Sequence, residues 1–557
     1  MPKSTPSTEL ATGVAIGAVS ALLLSRAISS LSGGPSRSSA GTSNGRALLT
    51  SVLSDIEKRW GSSNTDGSKT DPTSLNSSCI KYRDPVVLKK ELEAVASLAI
   101  QDEGMDTSST ADAEMYAMLR KFSEFSVNTS HPLFVNQLFG TLDRASMAAD
   151  FMAAADNTSN YTYEAAPVYS MLEVEVLTAL CAQVGWDYEK ECDGMMLPGG
   201  SVSNVMGMHC ARHNKFPDTL KKGNAAMGPK PMAFVAAEAH YSFLKCSGLL
   251  GLGRECVVKV ECDSNGSMSV PHLRKALEKC KKEGGTPFFI GCTAGSTVRG
   301  TFDPFEAIAE VGKEYGCWVH VDGAWGGSAI MSSRQDMKDL MKGVSDCDSF
   351  TLNPHKMLGA PLQTTCFICK RKDFMLSVNS SKAGYLFDTR KANAHLDIGD
   401  KTFMCGRKVD AIKFWALWRY RGRKGLSDRV NSNVDNLKLF AEKIKAHPSF
   451  MLACEPWAFN LNFFFIPKRI RKLLSDANIP LDGSTYSIPD EISDEIDKVS
   501  VALKLAMQRA GKALVPYQPL SNQKAQCFRV VVAGEKDMND EVTTAMMDLM
   551  LKYGDSM

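Results

Sequence analysis

The chain has 557 residues, of which 44% are hydrophobic and 23% are charged, and its formal net charge is +2. This composition is ordinary for a soluble globular protein, and the balanced charge gives no support for nucleic-acid binding. The 16 cysteines are scattered through apolar segments, unlike those of a short disulfide-rich scaffold, so we expect reduced intracellular thiols. Cys366 and Cys369 form one Cys-x-x-Cys pair with no second pair after it, which argues against a zinc site.

The first change in composition along the chain lies at the N-terminus. Residues 10–31 are largely apolar, with Arg26 as their only charge, and residues 32–45 are rich in glycine and serine. The uncharged part is shorter than a membrane-spanning helix needs, so a signal peptide, an organelle-targeting segment and a membrane tether all remain open. We expect residues 1–80 to be this apolar segment and a flexible linker, with ordered structure beginning near Tyr82 in a cytoplasmic protein.

Stretches typical of helices and of strands alternate through the rest of the chain. Residues 85–100 and 173–184 have helical spacing, and the short apolar runs include PMAFVAAEAHYS, CVVKVEC, PFFIGCTAG and CWVHVD. This alternation predicts an α/β fold around a mostly parallel sheet. Ligands of such sheets bind beyond the carboxyl ends of the strands, and Asp322 and His240 each lie at such an end.

Lys356 and Asp322 are candidates for a cofactor site. Lys356 lies in the turn NPHKMLG, and a lysine amine that faces a cleft can form a Schiff base with an aldehyde. Pyridoxal phosphate (PLP) is the common aldehyde cofactor, and its protonated ring nitrogen would compensate the charge of a buried Asp322. Taken alone, each residue is more often an ordinary one, a surface lysine in a turn or a helix-capping aspartate.

A phosphate site is the third component. The sequence LPGGSVSN places two glycines before a serine-rich helix start, where free backbone N–H groups and the hydroxyls of Ser201 and Ser203 suit a phosphate dianion. Glycine and serine before a helix usually form no more than a cap. The phosphate site, the acid and the lysine, in this order along one chain, are much more specific than any one of them.

Eight motifs carry a resemblance to a known family: HPLFVNQL, NYTYEAAPV, PGGSVSN, EAHYS, TAGSTVRGTFDP, HVDGAWGG, NPHKMLG and FMCGRKVDAIKFWALW. In this order they resemble the PLP-dependent group II amino-acid decarboxylases, within the glutamate/cysteine-sulfinate decarboxylase branch. The resemblance implies the aspartate-aminotransferase-like PLP fold type I, with a mostly parallel central sheet and a smaller C-terminal α/β domain. It also implies a homodimer with shared active sites, a helical dimerisation segment at 81–165, a large PLP-binding domain at 166–430 and a small domain at 431–557.

The resemblance further implies roles for individual residues. Lys356 would bond the cofactor aldehyde, Asp322 would pair with the ring nitrogen and His240 would stack on the ring, so these three are the expected catalytic residues. Further cofactor contacts are expected at Ser201, Val202, Ser203, Thr297, Asn353, His355 and Cys405, the last of them near the partner subunit's cofactor. Arg529, in CFRVVV, resembles the arginine that binds the substrate α-carboxylate, and Gln137 is expected at the substrate site.

Three positions bear on the choice of acidic amino acid. Phe139, Ser159 and Tyr161 stand where glutamate-specific members carry serine, asparagine and phenylalanine, and all three resemble the cysteine-sulfinate type. Phe139 would shorten the side-chain pocket, although pockets discriminate only modestly per methylene. The implied reaction converts cysteine sulfinate to hypotaurine, the taurine precursor, with cysteate and aspartate (giving β-alanine) close behind. Glutamate decarboxylation to GABA, and drift at a tolerant pocket, remain alternatives.

The loop of residues 388–400 departs from the family pattern. Related decarboxylases carry a tyrosine there that is thought to protonate the substrate carbon, and this loop contains none. His395 is the nearest titratable candidate, with water or released Lys356 as alternatives, and it is equally an ordinary loop residue. An aldehyde synthase is therefore one competing function. A catalytically silent protein is another, and the intact Lys356, Asp322 and His240 argue against it.

Overall fold

The computed structural model describes most of the chain. The described residues are 45–60, 72–95, 97–100, 102, 104–105, 110–387, 390–476, 478, 488–521 and 523–557. The apolar segment 10–31 and nearly all of the linker after it lie outside these ranges, so the expectations for targeting and tethering fall on residues that are not described. Within the described ranges, no helix is both long and apolar enough to cross a membrane.

The chain divides into two compact units, each described by itself. The units are Met1–His131 with Gln508–Ala513, and Pro132–Met507 with Leu514–Met557. The domain limits implied by the family resemblance remain predictions. The helices of the first unit are α1 (Arg46–Trp60), α2 (Pro85–Glu93) and α3 (Ala111–Phe125).

Helix α1 shows that ordered structure begins well before Tyr82, so that expectation was wrong. Apolar residues recur at helical spacing between Leu48 and Ile56, a pattern that the polar neighbours on both sides obscure. The Asp112 carboxylate accepts hydrogen bonds from the backbone N–H groups of Ala47 (3.1 Å) and Leu48 (3.2 Å), which satisfies donors that a first helical turn leaves free. The helix expected over residues 85–100 exists but ends early, as α2.

The second unit contains a seven-stranded sheet, which confirms the predicted α/β fold class. Its strands are β1 (Asp193–Leu197), β2 (Pro231–Ala236), β3 (Val257–Val260), β4 (Thr286–Thr293), β5 (Trp318–Gly323), β6 (Ser349–Leu352) and β7 (Thr365–Cys369). Their spatial order is β1-β7-β6-β5-β4-β2-β3, and the pairs from β6 across to β3 are all parallel. The strand-like runs in the sequence therefore correspond to real strands.

The helices of this unit include those that cover both faces of the sheet. They are α4 (Arg144–Asp156), α5 (Pro167–Val184), α6 (Tyr188–Glu191), α7 (Gly200–Lys215), α8 (Thr219–Lys222), α9 (Ser242–Leu249), α10 (Val270–Lys282), α11 (Phe305–Tyr315), α12 (Gln335–Leu340), α13 (Phe374–Asn379), α14 (Ala411–Ala446), α15 (Lys468–Asp476), α16 (Asp490–Arg509) and α17 (Asp540–Gly554). Alternate strand residues enter two separate cores: Ile290 and Val319 pack with α5, α10 and α11, whereas Phe289 and Trp318 pack with α7, α9 and α13. A strand that is covered on both faces has apolar residues at consecutive positions, and the sequences of these strands show this pattern.

Strand β7 is the exception to the parallel arrangement. It pairs antiparallel with β6 on one side and with β1 on the other. No helix separates β6 from β7, and the chain returns directly through the turn that contains Lys356, so an antiparallel pairing is the accessible one. The turn is thereby held between two central strands.

A second, four-stranded antiparallel sheet follows the long helix α14. Its strands are β8 (Phe450–Leu452), β9 (Asn460–Phe465), β10 (Tyr517–Pro519) and β11 (Gln526–Val531), in the order β10-β11-β9-β8. This sheet matches the smaller C-terminal α/β part that the family resemblance implies. It delivers Asn460 and Arg529 from adjacent strands, with Arg529 opposite Asn462 in the register.

A buried ion pair joins α5 to the segment before α14. Glu173 and Arg407 lie 2.6 Å apart, and each side chain is at most 2% exposed. Glu173 also accepts from the backbone N–H of Met196 (2.9 Å) and from the amide of Asn160 (2.8 Å), so its carboxylate is fully compensated. Such a pair is costly to break on one side because the remaining charge stays buried.

We expect Glu173→Gln to lower the free energy of unfolding by about 3–5 kcal/mol, because it leaves Arg407 without its counter-charge. Glu175→Gln on the exposed face of the same helix is the matched control and should stay within about 0.5 kcal/mol of wild type. Denaturant unfolding of the apoprotein measures both. Equal stability of the two variants would show that the pair contributes nothing to the fold.

Candidate active site

A cavity of about 230 Å³ opens at the carboxyl ends of β4, β5 and β6. This is where ligands of parallel sheets bind. Its lining includes seven of the residues expected at a cofactor site, namely Ser201, His240, Thr297, Asp322, Asn353, His355 and Lys356. It also includes residues that the sequence reasoning did not single out, namely Gly200, Asn204, Tyr241, Thr293, Gly295, Ala324 and Trp325.

Asp322 lies near the end of β5 with its carboxylate buried. One carboxylate oxygen accepts from the backbone N–H of Ala324 (3.1 Å), and the other accepts from the side-chain amide of Asn204 (2.7 Å). Both donors are neutral, and among the described residues no cationic side chain forms an ion pair with Asp322. The carboxylate therefore retains capacity for a cationic partner in the cavity, such as a protonated ring nitrogen.

Lys356 is held in a tight turn between β6 and β7. Its backbone N–H donates to Asn353 O (3.0 Å), and its own carbonyl accepts from Gly359 N (3.3 Å). The turn is tied to the start of α4, because Asp143 N donates to Gly359 O (2.8 Å). Burial lowers the pKa of Lys356, with Asp322 opposing that shift and the positive charge of Arg529 adding to it. A lowered pKa makes the neutral, nucleophilic amine more accessible near neutral pH.

The start of α7 has the features of a phosphate site. No side chain caps this helix, and the buried Ser203 hydroxyl has no hydrogen-bond partner within the described part of the chain. A Cβ atom on Gly200 would stand 3.0 Å from both Ala324 Cβ and the amide nitrogen of Asn353, so a side chain there would crowd the cavity wall. The Asn353 amide oxygen is likewise buried and unpartnered. The unpartnered Ser203 hydroxyl beside an uncapped helix start fits an anionic ligand, whereas the Asn353 amide oxygen is an acceptor and suits a donor group.

The two histidines of the cavity are held in defined orientations. His240 Nδ1 accepts from the backbone N–H of Ser242 (3.3 Å), which places its ring proton on Nε2, and burial lowers its pKa. His355 Nδ1 lies 2.6 Å from the carbonyl of Thr364, and burial lowers the pKa of His355 to about 4. Both rings are therefore neutral at physiological pH.

Arg529 is buried beside the cavity, although it does not line it. Its two terminal nitrogens donate to Thr297 O (2.8 Å) and Asn136 O (2.7 Å), and its Nε has no partner among the described residues. Burial lowers the pKa of Arg529 to about 10. Asn136 directly precedes Gln137, which is exposed, and Phe139 lies close by with its ring 6.0 Å from that of Phe134.

Ser159, Tyr161 and Cys405 gather elsewhere, around Arg407, and we call these four residues the Arg407 cluster. The Ser159 hydroxyl accepts from Arg407 N (3.1 Å), the Tyr161 carbonyl accepts from Gly399 N (2.7 Å), and Cys405 is exposed two residues before Arg407. Within one chain these residues do not line the Lys356 cavity.

Five other expected residues also lie outside the cavity lining: Gln137, Phe139, Val202, Ser203 and His395. Val202 packs its side chain against the apolar core beneath α7, and its backbone N–H donates to Gly199 O (3.1 Å). His395 is exposed and does not line the cavity.

Asn460 is a residue beside the cavity that no sequence pattern singled out. Its amide oxygen accepts from the indole N–H of Trp325 (2.8 Å), and its amide nitrogen donates to Val298 O (2.9 Å) and Thr297 O (3.2 Å). It therefore fixes both a wall of the cavity and the carbonyl that holds Arg529. An asparagine at the start of an apolar strand has no pattern that distinguishes it; Asn204, by contrast, lies within the motif PGGSVSN.

Comparison with known proteins agrees with this geometry. Residues 98–466 match the family described as pyridoxal-dependent decarboxylase conserved domain. The chain belongs to this family. Human cysteine sulfinic acid decarboxylase is 36% identical over 481 residues, which cover 86% of this chain and 91% of that protein. Bovine acidic amino acid decarboxylase GADL1 is also 36% identical, with 86% of each chain covered. The crystal structure of mouse CSAD in apo form superposes with a TM-score of 0.81 at 32% identity, over 92% of this chain and 99% of that one.

This pyridoxal-dependent decarboxylase is a carboxy-lyase that acts on amino acids, with PLP as its cofactor. The residues present fit that cofactor: an amine for its aldehyde, an incompletely compensated carboxylate for its ring nitrogen, and an unpartnered hydroxyl at an uncapped helix start for its phosphate. Neutral, half-buried His240 suits the face of an aromatic ring.

We expect Lys356→Ala to abolish turnover and to remove the visible absorbance that the bound cofactor acquires when the lysine bonds its aldehyde. Lys338→Ala, on the exposed side of α12, should retain both. Absorbance spectra of the reconstituted proteins and an amine-release assay make the comparison. Full activity in Lys356→Ala would remove this residue from the site.

Proposed function

We propose that the enzyme decarboxylates small acidic amino acids and that cysteine sulfinate, giving hypotaurine, is its preferred substrate. Cysteate and aspartate would follow, and glutamate would be a poor substrate. The names of the two relatives that are 36% identical point to this substrate class. The single observation that carries the proposal is the hydrogen bond from Arg529 to Asn136 O, because it links a buried cation to the segment that contains Gln137 and Phe139.

The roles proposed for the cavity residues follow from their chemistry. PLP, when bound, supplies an electron sink for the electron pair released as the Cα–carboxylate bond breaks. Asp322 would keep the ring nitrogen protonated, and His240 would lie against the ring. Ser201, Ser203 and the backbone at Val202 would hold the phosphate. Thr297, Asn353 and His355 would contact the cofactor from the loops after β4 and β6.

Arg529 would bind the α-carboxylate of the substrate. Its guanidinium is buried, its terminal nitrogens meet only backbone carbonyls in the described structure, and its Nε is unused. A carboxylate would supply the counter-charge that this environment lacks, in the planar geometry that a guanidinium prefers. Because Asn460 and Arg529 both donate to Thr297 O, the arginine is fixed in place before substrate arrives.

Lys356 is the better supported of the candidates for returning a proton to Cα. It lines the cavity, whereas His395 is exposed and does not. A lysine amine that is freed from the cofactor aldehyde can take up and return a proton within the cavity, so it can act as a general acid there. The loop that lacks the family tyrosine need not then supply the donor.

We further propose a homodimer in which the Arg407 cluster contributes to the partner subunit's site. Exposed apolar side chains lie on three helices that pack against one another, α4, α5 and α14: Met152 (47% exposed), Val168 (56%), Met171 (43%) and Trp415 (37%). An apolar surface of this kind is typical of a subunit interface. In the dimer, Ser159, Tyr161 and Cys405 would approach the cavity of the other subunit, where one chain alone does not bring them.

A competition assay tests the substrate proposal directly. Cysteine sulfinate, cysteate, aspartate and glutamate are supplied together to the PLP-saturated enzyme, and each amine product is quantified along with carbon dioxide and peroxide. We expect hypotaurine to form fastest, with amine and carbon dioxide in equal amounts. A glutamate preference would contradict the proposal, and carbon dioxide with peroxide but without amine would indicate an aldehyde synthase instead.

Phe139→Ser should raise the ratio of kcat/KM for glutamate to that for cysteine sulfinate by roughly tenfold, because it would lengthen the side-chain pocket that we propose Phe139 limits. Phe139→Leu removes less volume and should give a smaller shift in the same direction. Both constants are measured on each variant at saturating PLP. If the ratio does not move in either variant, Phe139 does not limit substrate length.

A further inference from the structure

A chain of buried hydrogen bonds runs from the interior of the sheet to Asp322. The indole N–H of Trp318 donates to the Ser349 hydroxyl (2.8 Å), and that oxygen lies 2.8 Å from His320 Nδ1. His320 Nε2 lies 3.0 Å from the amide oxygen of Asn204, whose nitrogen lies 2.7 Å from the Asp322 carboxylate. Of these residues, only Asp322 has been given a role towards the cofactor.

The donor and acceptor of each bond are determined by chemistry. The indole nitrogen can only donate, and an ionised carboxylate can only accept. Asn204 must therefore turn its nitrogen towards Asp322 and its oxygen towards His320, so His320 Nε2 must carry the ring proton. Nδ1 is then an acceptor, and Ser349 supplies its hydroxyl proton to it. One arrangement of protons satisfies every group, with all donors directed towards the carboxylate.

The surroundings keep His320 neutral, as this arrangement requires. Its ring is fully buried and lies among Phe243, Phe289 and Phe367, with centroid distances of 6.4, 6.1 and 6.0 Å. Gly207 packs directly against it, since a Cβ there would stand 2.8 Å from His320 Nδ1. Burial lowers the pKa of His320 to about 4, although the charge of Asp322 acts in the opposite direction.

The other tautomer of His320 would reverse the direction of the hydrogen bonds between His320 and Asp322. With the proton on Nδ1, His320 Nε2 would present a lone pair to the Asn204 oxygen, and the amide would relieve the repulsion by flipping. The flipped amide would place an oxygen 2.7 Å from a carboxylate oxygen of Asp322, which is tolerated only if that carboxyl group takes up a proton. A protonated Asp322 could not serve as a counter-charge for the cofactor ring. Ser242, which also contacts the Asn204 nitrogen (2.8 Å), can accept or donate and so does not decide the orientation.

We propose that His320 is a positioning residue whose tautomer is set by Ser349. It keeps the nitrogen of the Asn204 amide directed at Asp322, and Asp322 therefore stays ionised where it faces the cofactor. This inference rests on the role proposed for Asp322. His320 itself touches neither the cavity nor the cofactor, so its effect would pass entirely through Asn204 and Asp322. An Asn204 amide held in this way also spares Asp322 from reorienting when the cofactor binds.

Two substitutions of similar size separate the hydrogen bond from the packing. His320→Gln retains an amide nitrogen that can donate to the Asn204 oxygen, whereas His320→Met fills the same space without a donor. Their apoprotein melting temperatures should fall together, because both lose the packed ring. We expect the dissociation constant for PLP to rise about ten- to hundredfold in His320→Met and to stay within about threefold of wild type in His320→Gln. Equal PLP affinities in the two variants would overturn the proposal.

A double-mutant cycle shows whether the effect passes through Asp322. Asp322→Asn alone should weaken PLP binding, and adding His320→Met to it should cause less than about a threefold further change. A full additional loss would mean that His320 acts through packing and not through Asp322. If Asp322→Asn alone leaves both PLP affinity and turnover at wild-type values, the role proposed for Asp322 is wrong, and the inference about His320 is overturned with it.

A variant at the other end of the hydrogen-bond chain tests the proposal even if His320→Met does not fold. Ser349→Ala removes the proton donor to His320 Nδ1 and leaves the imidazole packing in place. We expect it to weaken PLP binding by about three- to tenfold and to alter the visible spectrum of the bound cofactor in the same direction as Asp322→Asn. Wild-type affinity and spectrum in Ser349→Ala would contradict a tautomer set by Ser349.

Discussion

A carboxylate buried at the end of a strand must have its charge compensated, and the candidate site is built around the way Asp322 meets that constraint. Two neutral donors, the Asn204 amide and the Ala324 N–H, stabilise it without neutralising it. The cavity beside it is open to a cationic partner. We propose that the protonated ring of PLP is that partner. The charge of Asp322 would then be fully compensated only when the cofactor binds.

The sheet topology brings the other chemical groups to that carboxylate. The direct return from β6 to β7 holds the Lys356 turn over the cavity, and α7 begins beside the same strand ends. The smaller sheet then closes the other side, because Asn460 and Arg529 both reach Thr297 O from neighbouring strands. Groups from distant parts of the sequence are thus fixed by backbone contacts, and little reorganisation is left for substrate binding.

The sequence predicted those parts of the site in which the functional residues lie within short local motifs. The lysine turn, the acid after β5 and the glycine-serine helix start all line one cavity, and the alternating apolar runs are the strands of the sheet. Asn460 and His320 could not be selected in this way. Each is a polar residue in a mostly apolar strand, a pattern shared by many ordinary core residues, and a partner that defines its role lies more than a hundred residues away, Asn204 for His320 and Thr297 for Asn460. The helix α1 was missed because its apolar stripe lies between polar stretches that dominate the local composition.

Both the proposed function and the proposed role of His320 require that Asp322 faces PLP as an ionised carboxylate and holds a proton on the cofactor ring. The most direct measurement is the ¹⁵N chemical shift of ring-labelled PLP bound to the wild-type enzyme, compared across neutral pH with free PLP above and below its own ring titration. We expect the chemical shift of a protonated ring nitrogen, unchanged over the pH range in which the enzyme is folded. A shift matching the neutral ring would contradict it, because Asp322 could not then have the role on which both the site and the His320 chain depend.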